Sequence, residues 1–215
     1  MYVIFTLSLI VCMVVCSLHG RSGDIVFHSI REYPYLRVIE DSADIMNEEI
    51  PEFDINKEYA RRPARWLHDS DFRGVVKNME STWYKGWLPG DNWYNFPLVV
   101  KGQIVGDAAK MCPRTIRLLK KVRCCQVAGF ALVLPMSMLP VHRDPVGSPY
   151  GSMAANMLLT ENDHNYLIVQ DAARQYTHEH RRNKLVVFDS SKFHTAVNGS
   201  NTVRVIFYMD FKVQD

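Results

Sequence analysis

Residues 184–211, KLVVFDSSKFHTAVNGSNTVRVIFYMDF, hold two runs rich in β-branched and aromatic residues, KLVVFD (184–189) and TVRVIFYMDF (202–211). Between them lies the turn-forming cluster VNGSN (197–201), a composition that ends one strand and starts the next. The signal repeats upstream in QVAGFALVLP (126–135), SMAANMLLT (152–160) and NYLIVQ (165–170), with ENDH (161–164) and YTHEHRRN (176–183) as polar turns. Five or more short strands without long helices between them predict an antiparallel sandwich or barrel. One short amphipathic helix precedes them, CPRTIRLLKKV (112–122). Pro113 takes its first position, and Ile116, Leu119 and Val122 form an apolar stripe.

The rest of the chain bounds the answer. Its 215 residues, 47% apolar and 22% charged, suit one compact domain with a short appendage and exclude bulk disorder. A net charge of +2, from 25 basic and 23 acidic residues, gives no electrostatic basis for binding nucleic acid. Met1 to Leu18 carries no charge and is mostly aliphatic. Residues 1–17 read as a secretory signal peptide with Ser17 at the cleavage point, and alternatively as an uncleaved anchor or a buried first element. Membrane contact is expected only through residues 1–18. The segment 18–94 reads as a flanking region packed on the barrel, with DSADIMNEE (41–49) and RRPAR (61–65) at the surface. Trp66, Trp83, Trp87 and Trp93 read as packing under loops. Cleavage would leave Cys112, Cys124 and Cys125, enough for one disulfide from Cys112 to either of the adjacent pair. Those neighbours lack the gap of a zinc site.

The chemistry-bearing residues are His142-Arg143-Asp144 and, fifty positions later, His194. Two imidazoles and one carboxylate, leaving one face of the metal open, are the ligand set of non-haem iron(II) oxygenases. In an extended segment, His142 and Asp144 leave on one face and Arg143 on the other. Arg204 lies ten positions after His194 inside an apolar strand. A buried guanidinium there needs an anionic partner, which a dicarboxylate cosubstrate would supply. The plainer alternatives are an outward-facing charge or a pair with Asp189 or Asp210. Asp189 reads as a turn former, and His178 and His180 as solvated. His28, His68 and His164 have no evident partner. Ser190, His194 and Asp189 are too close in sequence for a hydrolase triad.

From about Asn95 to Phe211 the chain resembles the aspartyl/asparaginyl β-hydroxylase family of 2-oxoglutarate- and iron(II)-dependent oxygenases. The resemblance runs through NFPLVV, CPRTIRLL, AGFALVLPMSMLPVHRDP, NYLIV, NKLVVFDSSKFHTAVNGS and TVRVIFYMDF. It implies a mainly β protein, a double-stranded β-helix of jelly-roll or cupin-like form over residues 95–215, with a few flanking helices. It also implies iron(II), 2-oxoglutarate and O2 as cofactors, with iron at His142, Asp144 and His194 and the far carboxylate of 2-oxoglutarate at Arg204. Val141, Phe193 and Val205 are expected to keep solvent out. The family often carries an Arg-x-His pair on the strand after HRDP, where this chain has Ala154 and Asn156. Asn156 can donate a hydrogen bond to the cosubstrate but brings no charge. The implied substrate is an amino-acid side chain, in a peptide or protein or as a free amino acid. A secretory leader would place the reaction in the endoplasmic reticulum lumen or outside the cell, and an anchor at a membrane. Two other readings are a prolyl hydroxylase-type oxygenase and a non-catalytic, metal-binding cupin-like β-barrel.

Overall fold

A computed structural model of the chain describes residues 26–61, 72–86, 90–122, 124–144 and 153–213. The leader segment 1–17, Trp66, His68 and Trp87 lie outside the described residues. In chain order the elements are β1 (Phe27–His28), α1 (Arg37–Glu40), α2 (Ala43–Glu48), α3 (Phe72–Asn78), β2 (Tyr84–Lys85), β3 (Trp93–Val100), β4 (Gln103–Ile104), α4 (Ala108–Met111) and α5 (Pro113–Leu119). There follow β5 (Cys125–Val133), β6 (Ser137–Met138), β7 (Met153–Leu158), β8 (Asn165–Asp171), β9 (Arg174–Glu179), β10 (Leu185–Asp189), β11 (Phe193–Asn198) and β12 (Arg204–Phe211). Among the described residues, no helix is long and apolar enough to cross a membrane.

The large sheet runs β1-β10-β7-β12-β5-β3-β2 with β4 on β3, and the small sheet runs β6-β11-β8-β9. From β5 onward the chain passes back and forth between the two, with β5, β7, β10 and β12 in the large sheet and β6, β8 and β11 in the small one. That alternation is the double-stranded β-helix that the family resemblance implies. The large sheet also takes strands from the flanking segment: β1, β2 and the start of β3.

The two faces of the large sheet have different jobs. Its outer face carries Phe96, Leu98, Phe130, Phe207 and Met209, buried under Leu36, Ile39, Met46, Ile116 and Leu119 of the N-terminal helices and α5. Each such side chain contributes roughly 1.5–3 kcal/mol by leaving water. Its inner face looks at the small sheet across a cavity. Central strands covered on both sides lose the polar alternation of half-buried ones, and β3 and β7 are buried along their whole length. At Gly129 the β5 backbone comes so close to β3 that an added Cβ would lie 2.4 Å from the Phe96 carbonyl oxygen.

Local expectations met mixed outcomes. Pro113 starts α5, and Ile116, Leu119 and Val122 are buried, although the helix ends at Leu119. Residues 176–183, expected as a turn, begin with the second half of β9. This edge strand keeps one side in water, so its polar residues belong there. The expected surface stretch 41–49 contains α2, which buries Ala43 and Met46. Trp83 is packed in the core, its indole N–H donating to the Pro51 and Glu52 carbonyls. Trp93 instead lines the cavity from β3.

No disulfide joins Cys112 to its expected partners: Cys112, Cys124 and Cys125 are free and buried. Burial, then the Glu49 carboxylate, pushes the Cys112 thiol up to about 12. A thiolate is the reacting form, so these three thiols should resist alkylation at pH 8 until the protein unfolds. Peptide mapping after a brief iodoacetamide pulse, with and without urea, checks this.

Glu49, just past α2, ties the flanking helices to α5. Its carboxylate accepts the backbone N–H groups of Arg114 (2.9 Å) and Thr115 (2.8 Å) and the Arg114 Nε–H (3.2 Å). These satisfy first-turn donors that Cys112, which makes no side-chain cap, leaves open. Burial raises the Glu49 pKa, but the hydrogen bonds from Thr115 and Arg114 outweigh it and hold the group below its ordinary value of 4.5. A depressed folded-state pKa stabilises above the unfolded value, and the contribution is lost as pH falls through the folded one. Glu49→Ala should cost about 1.5–3 kcal/mol at pH 7. In urea unfolding, the gap between variant and wild type should shrink on moving well below pH 4.5.

Candidate metal centre and cavity

His142 and His194 stand directly opposite each other in an isolated antiparallel bridge. They exchange both backbone bonds, His142 N–H to His194 O at 3.0 Å and His194 N–H to His142 O at 2.7 Å. Asp144 N–H then donates to Ser190 O at 2.9 Å, so residues 142–144 run extended beside the start of β11. Extended geometry puts residues 142 and 144 on one face, as expected from their spacing. The potential ligand atoms of His142, Asp144 and His194 all lie within 4.8 Å of one another.

Backbone carbonyls set both tautomers. His142 Nδ1 is 2.8 Å from Pro140 O, and His194 Nδ1 is 2.9 Å from Lys192 O. A carbonyl only accepts, so each Nδ1 carries the hydrogen and each Nε2 keeps a lone pair. Burial and then His142 hold the His194 pKa below its ordinary value, with the carboxylate of Asp144 opposing them. Phe188 packs edge-on against the His194 ring at 5.1 Å. Two imidazoles whose Nδ1 atoms face backbone carbonyls, set beside a carboxylate, suit a divalent first-row metal.

This cluster borders a cavity of about 280 Å³ between the sheets. Alternation along β12 turns Arg204, Ile206, Tyr208 and Asp210 inward to line it. Val205 faces the outer core instead and plays no part in shielding the site. Val141 and Phe193 are also misplaced as shields, at 58% and 47% exposed. Arg143 turns to the rim, 5.3 Å from the Phe193 ring centroid. Phe188, Ala131, Leu167 and Ala196 form the apolar wall in their place.

Arg204 is 0% exposed, and its Nε, Nη1 and Nη2 have no hydrogen-bond partner among the described residues. It is neither outward-facing nor paired with Asp189 or Asp210. Burial pushes its pKa down to about 10, which leaves it cationic at neutral pH. Asp189 makes the expected turn, its Oδ1 accepting Ser191 N–H and Oγ–H at 2.9 and 2.6 Å. Ala154 and Asn156 both line the cavity from β7.

Two residues escaped the sequence reading. Asn95 of β3 is 1% exposed, lines the cavity, and has neither amide atom hydrogen-bonded. The signal was a lone amide inside the otherwise buried run WYNFPLVV. His180, expected in solvent, is 6% exposed. His178 is half-buried, its ring 5.3 Å from Phe27. The strand pairing explains both: β9 lies beside β8, so alternate residues 176, 178 and 180 turn inward. His28, half-buried, contacts Glu32 at 3.3 Å, and His164 is in an exposed turn.

A family model for aspartyl/asparaginyl beta-hydroxylase matches residues 40–213. The chain belongs to that family. The match starts well before Asn95, so the family relationship takes in α2 and α3 as well as the β-helix. This aspartyl/asparaginyl β-hydroxylase family chain is 22% identical over 157 residues to the uncharacterized protein L888 of Acanthamoeba polyphaga mimivirus. That alignment takes in 71% of this chain and 55% of the viral protein, so the chain spans about half the length of the curated relative it matches. Among solved structures it is similar to an oxidoreductase of the 2OG-Fe(II) oxygenase family from Burkholderia pseudomallei. The TM-score is 0.51 at 12% identity, over 92% of this chain and 96% of that one. The structural likeness agrees with the double-stranded β-helix seen here.

Proposed function

We propose that this family member is a 2-oxoglutarate- and iron(II)-dependent dioxygenase that hydroxylates an amino-acid side chain of a polypeptide. One observation carries the reading: a fully buried guanidinium without a protein partner shares one cavity with a His-Asp-His cluster. A buried cation is costly without an anion. The residues fit both groups. His142, Asp144 and His194 would hold iron(II), and Arg204 would take the far carboxylate of 2-oxoglutarate as a bidentate donor. Bound together, iron(II), 2-oxoglutarate and O2 supply oxidative C–H hydroxylation, with succinate and carbon dioxide as co-products.

The chain's own residues supply binding, orientation and shielding. The Pro140 and Lys192 carbonyls lock the imidazoles. Phe188, Ala131 and Leu167 exclude water beside the metal cluster, and Asn156 offers an amide donor to the cosubstrate. The exposed rim at Arg143 and Phe193 is where a peptide would lie. A cleaved leader at residues 1–17 would put the reaction in the secretory pathway, and an uncleaved one would anchor it to a membrane.

Anaerobic titration of the iron(II)-loaded protein with 2-oxoglutarate tests the cofactor set. The expected result is a visible charge-transfer band that saturates with 2-oxoglutarate. Tight iron binding without a band would instead mark a metal-binding cupin-like barrel, the reading that Ala154 and Asn156 favour. Mass spectrometry of Asp-, Asn- and Pro-containing peptides after aerobic turnover separates the family reaction from a prolyl hydroxylase type.

A further inference from the structure

Strand register orders the inner face of the large sheet into rows that run across β3, β5 and β12. One row joins Trp93, Val133 and Arg204, and the next joins Asn95, Ala131 and Ile206. Two rows further along, Asp210 pairs with Ala154 of β7. That is the metal end, because Ala154 pairs with Phe188, whose ring packs on His194. Arg204 and Asn95 therefore stand in adjacent rows at the opposite end of one cavity, which both line. Sheet spacings set Asn95 about 10 Å sideways and about 7 Å along from Arg204. Side chains that rise from one face at that separation can converge on a small group between the sheets.

Asn95 is 1% exposed, and neither its Nδ2 nor its Oδ1 has a hydrogen-bond partner among the described residues. Its backbone is held between Tyr84 of β2 and Ala131 of β5, so pairing fixes where the side chain stands. Ala131 and Ile206, its neighbours in the row, have no polar side-chain atoms to offer. A bare buried amide is destabilising, and one on a cavity wall is suited to a ligand that enters there. The unpartnered cation one row away specifies the chemistry of that ligand. A carboxylate only accepts, through about four lone-pair sites. A bidentate guanidinium engages two of them, which leaves sites for the Asn95 amide hydrogens. Oδ1 can be met by a water bridging to a remaining guanidinium N–H.

We propose that Asn95 is a second binding residue for the acid group received by Arg204, its Nδ2–H donating to a carboxylate oxygen from the β3 side while the guanidinium holds the group from β12. This rests on the 2-oxoglutarate reading above and deepens it. Arg204 supplies the charge, and Asn95 supplies a directional contact from a strand that is buried along its whole length.

The test is calorimetric and needs no turnover. The full chain, loaded anaerobically with manganese(II), is titrated with 2-oxoglutarate and with 2-oxopentanoate, which carries a methyl group in place of the far carboxylate. Wild type is compared with Asn95→Leu, which keeps the size without a donor, and with Asn95→Asp, which sets a second acid beside the first. Asn95→Leu takes a bare amide out of a covered strand, so folding is not put at risk. The expected result is an about 10-fold or greater loss of 2-oxoglutarate affinity in Asn95→Leu and a larger loss in Asn95→Asp, where like charges repel. Affinity for 2-oxopentanoate should stay within about twofold of wild type in both variants, because no far carboxylate is there to lose its donor. Equal weakening of both acids in Asn95→Leu would show a packing role and overturn the assignment, as would unchanged 2-oxoglutarate affinity in either variant. If wild type still prefers 2-oxoglutarate in those cases, the reading of Arg204 stands without Asn95. Should wild type bind 2-oxoglutarate no better than 2-oxopentanoate, the acid-site reading itself fails, and the Asn95 assignment with it.

Discussion

Replacing Arg204 with methionine is expected to make the protein more stable and nearly abolish its use of 2-oxoglutarate. Methionine fills most of the arginine stem volume and adapts to irregular space. It removes a charge that is 0% exposed and has no hydrogen-bond partner among the described residues. Swapping buried ionic groups for well-packed apolar ones is often worth about 1–4 kcal/mol, and that gain in unfolding free energy is expected here. Function moves the other way. Losing two charge-assisted hydrogen bonds, each worth about 1.5–3 kcal/mol, should weaken 2-oxoglutarate binding by roughly 100-fold or more. Arg204→Lys should fall between, because an ammonium keeps the charge but cannot form the paired bonds of a guanidinium. Urea unfolding of the metal-free protein and the anaerobic band titration measure the two effects separately. A methionine variant that loses stability would mean that the guanidinium is already satisfied in the free protein, and the cavity would then need another explanation. Binding sites commonly trade stability for function in this way.

The same arginine shows what the sequence could and could not reveal. A basic residue in TVRVIFYMDF is conspicuous because strands of that composition are buried, and alternation then decides which way it points. Likewise His142, Asp144 and His194 were legible because a one-residue gap in extended backbone is enough to share a face. The strands of the C-terminal half were legible for a related reason: β-branched and aromatic runs alternate with turn clusters, and local signals suffice. What escaped was everything set by pairing partners. His180 lies in YTHEHRRN, which by composition is a solvated turn. Its burial follows only from the register that lays β9 beside β8 and turns residue 180 inward just past the strand end. Asn95 was hidden in the same way, since β3 is covered on both sides and shows no alternation from which to read its facing. The shielding residues were misjudged because being next to a ligand in sequence is the wrong guide. Val141 and Phe193 flank the ligands yet, by alternation, point to the rim, while the actual wall comes from β5, β8, β10 and β11.

These misses share a cause with the site's chemistry. A double-stranded β-helix brings strands distant in sequence onto two facing inner surfaces. Residues on β3, β7, β11 and β12 therefore meet in one cavity, with unpartnered polar atoms on Asn95 and Arg204. Each unsatisfied buried group costs about 1–3 kcal/mol, more if charged. The outer face bears that cost through the apolar layer that α1, α2 and α5 press onto the large sheet. Glu49 holds that layer in place, so the scaffold's stability and the site's demands sit on opposite faces of one sheet.

His194→Ala is the second large effect and the cleaner test of the metal centre. The variant should fold, because the backbone bridge between residues 142 and 194 needs no side chain. The change also removes an imidazole that burial and a neighbouring imidazole keep from protonating. Metal affinity should fall by more than 100-fold, beyond the roughly 10–100-fold typical of losing a residue that merely supports a ligand. Linkage turns this into a stability measurement that needs no substrate. A metal present at 100 times its Kd stabilises the folded state by about 2.7 kcal/mol. Wild type should therefore show a higher Tm in iron(II) or manganese(II) under anaerobic conditions, and His194→Ala should show none of that rise. Asp144→Ala should keep part of it, since both imidazoles with their fixed Nε2 lone pairs remain. A full metal-induced rise in His194→Ala would place the metal elsewhere and detach the cavity and its buried arginine from the proposed chemistry. Loss of the rise together with retained secondary structure would bring His142, Asp144 and His194 together as one binding unit, the step on which the role of Arg204 depends.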